Sequence, residues 1–166
     1  MNKKLFDELK KKDVIRVMFV CHGNICRSPM AEFVFAHLAE ERGLSERFII
    51  QSAATSFEEC GCPPHTGTLQ VLSKRGVPVY EHYATRLNSA DAFKYDLFLG
   101  MDGANVTNMA RILGNGVTAK ILRLKDAAGV GGDVADPWYT DNFDVCYADI
   151  RTSCEKIMDL LTCGGN

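Results

Sequence analysis

Apolar and polar positions divide this chain into alternating strand-like and helix-like stretches. Val14 to Val20 (VIRVMFV) is an apolar run rich in β-branched residues and interrupted only by Arg16, as expected of a parallel strand buried on both faces. Ser28 and Pro29 then open a helix, MAEFVFAHLAEERG, with Phe33, Val34 and Leu38 at helical spacing and Gly43 as its stop. Further strands are predicted at Phe48 to Ala53, Val77 to Tyr80, Tyr95 to Gly100 and Lys120 to Leu124. Helices are predicted over Thr68 to Lys74, Ser89 to Phe93, Asp102 to Leu113 and Asn142 to Leu161. This alternation predicts an α/β fold, a single doubly wound domain with a parallel sheet flanked by helices. Leu5, Phe6 and Leu9 share one helical face, so residues 1–13 read as a lead-in extension and 14–166 as the domain.

Composition narrows the function classes. The 166 residues suit one domain with a respectable core, 46% hydrophobic and 24% charged. A net charge of -2 gives no basic footprint for nucleic acid or an acidic membrane surface, and neither is expected as a partner. No apolar run approaches the length of a spanning helix, and the N-terminal residues do not read as a leader. The seven cysteines are odd in number and irregular in spacing, which points to free thiols in a reducing, cytoplasmic setting. Cys60 and Cys62 stand too close for a C-x-x-C half-site, and no metal or other cofactor is expected. Cys146, Cys154 and Cys163, on or just after the last helix, read as small buried hydrophobes.

The chemistry concentrates at the end of the first strand, in VCHGNICRSPMAE. In open α/β sheets ligands bind beyond the carboxyl ends of the strands, and Cys21 stands at that edge. The loop His22, Gly23, Asn24, Ile25 and Cys26 can turn its backbone N–H groups inward around one small anion, with the helix dipole behind it. The same potential favours the Cys21 thiolate over the thiol. Arg27 adds a planar fork of donors for two oxygens of a phosphoryl group, and Ser28 can donate to the Cys21 sulfur. Gly23 and Asn24 suit the backbone angles of a tight loop. Cys26 is either core filler or a resolving thiol for Cys21.

A sulfur nucleophile needs an acid for the leaving oxygen. Asp136 in ADPWYTD, held extended by Pro137, can supply it and later deprotonate water; a turn or helix-cap role is the other reading of Asp-Pro. Trp138 and Tyr139 would line the entrance as aromatic walls.

These residues closely resemble the low-molecular-weight protein tyrosine phosphatase family, the C-x5-R loop being embedded in the far more restrictive CxGNxCRSPxAE. SAATS from Ser52, HYATRL from His82 and YDLFLGMDGAN from Tyr95 are similar to family segments, and the likeness runs from Val14 to Leu161. The resemblance implies a central sheet of four parallel strands and hydrolysis of phosphotyrosine, on a protein or a small aryl phosphate, through a cysteinyl-phosphate. It implies Cys21 as nucleophile, Arg27 as phosphate binder, Ser28 as thiolate stabiliser and Asp136 as acid and base. It also implies Asn24 as the residue shaping the loop, His82 as its support, and Cys26 as the protective partner of Cys21. Departures are Ala54 where the family has glycine, Trp138 where it has tyrosine or phenylalanine, and PPHTGT in the substrate-access loop, where Phe57, Glu58 and His65 would contribute to specificity. The N-terminal lead and the AAGVGGD loop are longer than usual.

Two other classes compete. A thiol-relay arsenate reductase would need a cysteine pair after His82, but no cysteine lies between Cys62 and Cys146. A phosphate-binding module without turnover would lack the nucleophile or the acid, and both are present.

Overall fold

The computed structural model describes residues 2–163. Four strands form one parallel sheet in the order β2-β1-β3-β4: β1 (Ile15–Cys21), β2 (Phe48–Ala54), β3 (Leu97–Gly100) and β4 (Ile121–Arg123). The chain winds one way from β1 to β2 and the other way from β1 to β3, so loops part at the carboxyl end of β1 and leave a crevice there.

Strand periodicity of two sorts the β1 side chains onto two cores. Ile15, Val17, Phe19 and Cys21 join Leu97 and Leu99 beneath α1 (Lys3–Lys10), α2 (Arg27–Glu41), α3 (Thr66–Lys74) and the long final helix. Met18 and Val20 face the other way, onto Phe98, Ile121 and the buried side of α4 (Gly103–Leu113). Both faces of the sheet are covered, which is why β1 reads as a nearly continuous apolar run. The remaining helices are α5 (Leu124–Ala127), α6 (Pro137–Thr140) and α7 (Phe143–Thr162), with 3-10 turns at Ser45–Arg47, Ser89–Phe93 and Asn115–Lys120. Asp102 and Asn142, expected inside their helices, cap them instead by accepting the amides of Asn105 and Val145.

Val77 to Tyr80 is not a strand. Gly76, at φ 71°, donates to the Ser73 carbonyl and Val77 to that of Leu72, the paired bonds that close a helix, and Val77 is buried as their hydrophobic partner. Pro78 follows with no N–H for a ladder. Cys146 and Cys154 are buried in α7, but Cys163 lies past its end and is exposed, so it fills no core. Among the described residues no helix is long and apolar enough to cross a membrane.

The lead-in segment folds as α1, and Phe6 and Leu9 enter the larger core together with α7 residues such as Ile157 and Leu161. The last three residues of the expected 14–166 domain lie outside the described residues. Phe6→Ala should cost about 3 kcal/mol in urea unfolding, whereas Lys4→Ala on the exposed face should cost less than about 0.5 kcal/mol. Equal, negligible effects would mean that α1 stands outside the cooperative unit.

Candidate active site

Strand β1 delivers Cys21 to the crevice, and α2 begins at Arg27, leaving residues 22–26 as an irregular loop between them. Asn24 sits at φ 60°, in the left-handed region that asparagine tolerates better than most side chains. Gly23 is not at positive φ, contrary to the backbone-angle expectation; a Cβ there would instead meet the Glu59 side chain at 3.3 Å. The amides of His22, Gly23, Ile25, Cys26 and Arg27 have no acceptor among the described residues, which leaves them available to an anion's oxygens.

Three donors converge on the Cys21 sulfur. The backbone N–H groups of Asn24 and Ser28 reach Sγ at 3.3 and 3.4 Å, and Ser28 Oγ lies 3.0 Å away. In the last pair Ser28 is the donor whenever Cys21 is a thiolate, which has no proton to give. Asn24 Nδ2 donates to Ser28 Oγ at 2.8 Å and to Ser52 Oγ at 2.9 Å, filling acceptor positions on both hydroxyls. Each hydroxyl keeps its own proton to give, and Ser52 donates to Glu32 Oε1 at 2.6 Å. Asn24 Oδ1 accepts the Thr85 amide at 3.1 Å, so every polar atom of this buried side chain is satisfied.

His82 makes no hydrogen bond to Asn24 among the described residues. Its Nδ1 stands 3.7 Å from Glu32 Oε1, which accepts from Ser52 Oγ, itself bonded to Asn24. Tyr80 donates to the other Glu32 oxygen at 2.6 Å, and burial followed by this bond pushes the Tyr80 phenol upward.

Arg27 is buried yet held on three sides. Nη1 donates to Asp102 Oδ2 at 2.8 Å and to the Val134 carbonyl at 2.9 Å, while Nη2 lies 3.4 Å from Asp136 Oδ2. Burial opposes its charge, but the Cys21 sulfur, Asp102 and Asp136 outweigh that and hold the guanidinium above its ordinary range. Asp136 takes the helix-cap role, its Oδ1 accepting the Trp138 amide at 3.0 Å at the start of α6, and its Oδ2 faces Arg27. Burial, then the Cys21 sulfur and the Asp136 carboxylate, push the Cys26 thiol up to about 12. Cys26 therefore stays a thiol at neutral pH.

These groups open into a cleft of about 370 Å³ with Cys21 and Arg27 in its lining. Trp138 and Tyr139 line it beside Asp136, and His22 and Glu58, 3.1 Å apart, line it with Glu59. Phe57 does not line the cleft. Its ring, 71% exposed, lies under the Arg86 guanidinium at 4.6 Å, and its neighbours Glu58 and Glu59 take the place expected for it. His65 stands behind Trp138 rather than in the lining. A larger groove of about 1060 Å³ between α1, β4 and α5 contains none of the residues around Cys21. Among the described residues no three His, Cys, Asp or Glu side chains cluster to hold a metal ion.

Sequence reasoning missed Asp102, Glu32 and Ser52 as parts of the site. Glu32 left a trace, an acidic residue amid the apolar positions of MAEFVF, and Asp102 left another as the acidic start of DGAN.

A sulfur ringed by donors, a buried arginine beside it and a carboxyl at the rim, at the switch point of a parallel sheet, define a cysteine-dependent phosphomonoesterase. The family model for low molecular weight phosphotyrosine protein phosphatase matches residues 16–163. The low molecular weight protein-tyrosine-phosphatase YfkJ of Bacillus subtilis is 37% identical over 147 residues, 87% of this chain and 94% of that protein. The low molecular weight phosphotyrosine protein phosphatase of Schizosaccharomyces pombe is 40% identical over 141 residues, 82% of this chain and 90% of its own length. The crystal structure of YfkJ superposes with a TM-score of 0.85 at 36% identity, covering 89% of this chain and 94% of that one. The chain belongs to the low molecular weight phosphotyrosine protein phosphatase family, whose substrates are phosphate esters.

Asn24→Ala should lower kcat for an aryl phosphate about 100-fold with the fold intact, because it loosens loop, sulfur and both serines together. Steady-state kinetics beside a thermal melt would check this, and an unchanged kcat would remove Asn24 from its organising role.

Proposed function

We propose that this chain hydrolyses phosphotyrosine, carried on a protein or as a small aryl phosphate, with Cys21 as nucleophile and Asp136 as acid and base. The observation that carries the assignment is the convergence of the Asn24 amide, the Ser28 amide and the Ser28 hydroxyl on Cys21 Sγ beside the buried Arg27. The phosphoryl oxygens take the Arg27 fork and the free loop amides, which aligns phosphorus over sulfur. Sulfur attacks, the S–P bond forms and the P–O bond to the aryl group breaks. Asp136, in its acid form, gives its proton to the departing oxygen while Oδ1 stays on the Trp138 amide. Asp136 then takes a proton from water as that water attacks phosphorus, and the S–P bond breaks to release phosphate. The Ser28 hydroxyl bond favours sulfur as nucleophile in the first step and as leaving group in the second. The free thiols throughout the chain support a cytoplasmic setting.

Cys21→Ser should abolish turnover of phosphotyrosine yet keep measurable phosphate binding, since the amides and Arg27 remain. Residual turnover near wild type would reject Cys21 as nucleophile. Wild type assayed on phosphotyrosine, phosphoserine and arsenate side by side separates the competing classes: rapid arsenate reduction with no ester hydrolysis would favour the reductase. Asp136→Asn should slow esters with poor leaving groups more than those with good ones, and equal slowing would count against an acid role.

The presence of Cys26 in the same short loop, lining the cleft with Cys21, supports a protective role for its thiol. Peroxide converts the Cys21 thiolate to a sulfenic acid and hydroxide, and condensation with the Cys26 thiol gives a disulfide and water. Cys26→Ala should spare turnover but lose the recovery that a dithiol reductant gives after peroxide treatment; recovery equal to wild type would reject this role.

A further inference from the structure

His65 joins the back of the phosphate loop to the wall of the cleft. Its backbone N–H donates to the Ile25 carbonyl at 2.8 Å, and Thr68, in the next turn, donates its hydroxyl to the Cys26 carbonyl at 3.1 Å. Its ring Nδ1 accepts the Gly67 amide at 2.9 Å and so caps α3. The same ring stacks on Phe143, with centroids 5.1 Å apart and planes at 19°, and meets Trp138 edge-on at 5.8 Å and 80°. Glycine at position 67 permits this closure, since a Cβ there would lie 2.5 Å from the Phe143 ring.

Trp138 needs such a support. It stands on the single turn of α6, is 58% exposed, and lines the cleft beside Asp136, whose Oδ1 accepts its amide. We infer that His65 is a positioning residue that holds the Trp138 ring where it packs against the aryl group of the substrate. The inference rests on the phosphotyrosine reading and deepens it, because a wall fixed in this way selects for a flat apolar group next to the phosphate. Histidine suits the position because it combines a planar ring, needed between Phe143 and Trp138, with an sp² nitrogen acceptor for the Gly67 amide. Asparagine keeps an acceptor without the ring, and phenylalanine keeps a ring without the acceptor.

Those two variants separate the roles, and Trp138, the only tryptophan in the chain, reports on the contact by its fluorescence. His65→Asn should melt near wild type and raise KM for 4-nitrophenyl phosphate about three- to tenfold, the range of a lost aromatic pair. Its kcat and its inhibition by inorganic phosphate should be unchanged, and Trp138 should become more accessible to acrylamide quenching. His65→Phe should melt lower but keep the wild-type KM. Unchanged KM and quenching in His65→Asn would overturn the inference, as would equal KM increases in the two variants or parallel weakening toward inorganic phosphate. Should the asparagine variant fail to fold, the phenylalanine variant decides: a wild-type KM supports the inference and a raised one overturns it. A wild type inactive on aryl phosphates would sink the phosphotyrosine reading itself, while the quenching comparison would still test whether His65 holds Trp138.

Discussion

The side-chain amide of Asn24 donates to two serine hydroxyls, and in doing so it joins two hydrogen-bond chains. One runs through Ser28 to the Cys21 sulfur; the other runs through Ser52 to the buried Glu32 carboxylate. A hydroxyl that accepts from Asn24 still has its own proton to give, which Ser28 can present to a thiolate at Cys21 before any substrate arrives. Preorganised donors of this kind require no reorientation as charge moves during reaction. Glu32 is in turn held by Tyr80, and His82 approaches it from the same segment, so residues 80–85 brace the loop from a distance in sequence.

Arg27 poses a different physical problem. A guanidinium this deeply buried would be costly if unpaired, and the fold answers with one carboxylate at the start of α4, one peptide carbonyl and one carboxylate at the start of α6. Asp102 serves both ends of the arrangement, its Oδ1 capping α4 and its Oδ2 on Arg27. The orientation of the phosphate-binding fork is therefore tied to the packing of a helix on the far face of the sheet.

Strand β1, the loop and α2 were legible in the sequence because their signals are local: a doubly buried apolar run, a restrictive motif and a helix with a marked stop. Asp136 was legible because proline after it limits its backbone, and its extended conformation at the head of α6 follows. The four-strand count came with the family resemblance, since Val77 to Tyr80 has strand-like composition and only the Gly76 helix closure decides otherwise. Phe57 was misplaced because a turn decides which of three neighbouring side chains faces the cleft, and no periodicity encodes that. Glu32, Asp102 and the approach of His82 to Glu32 depend on contacts across tens of residues, which neither spacing nor residue type discloses.

The Val134 carbonyl among the Arg27 contacts has an implication for how this enzyme can diverge. A peptide oxygen survives every codon change at its own position, so inherited variation cannot erase that anchor by altering residue 134. Substitutions that change how the guanidinium is held must then act at Asp102, at Asp136 or on the path of the chain, because those are the contacts a side chain supplies.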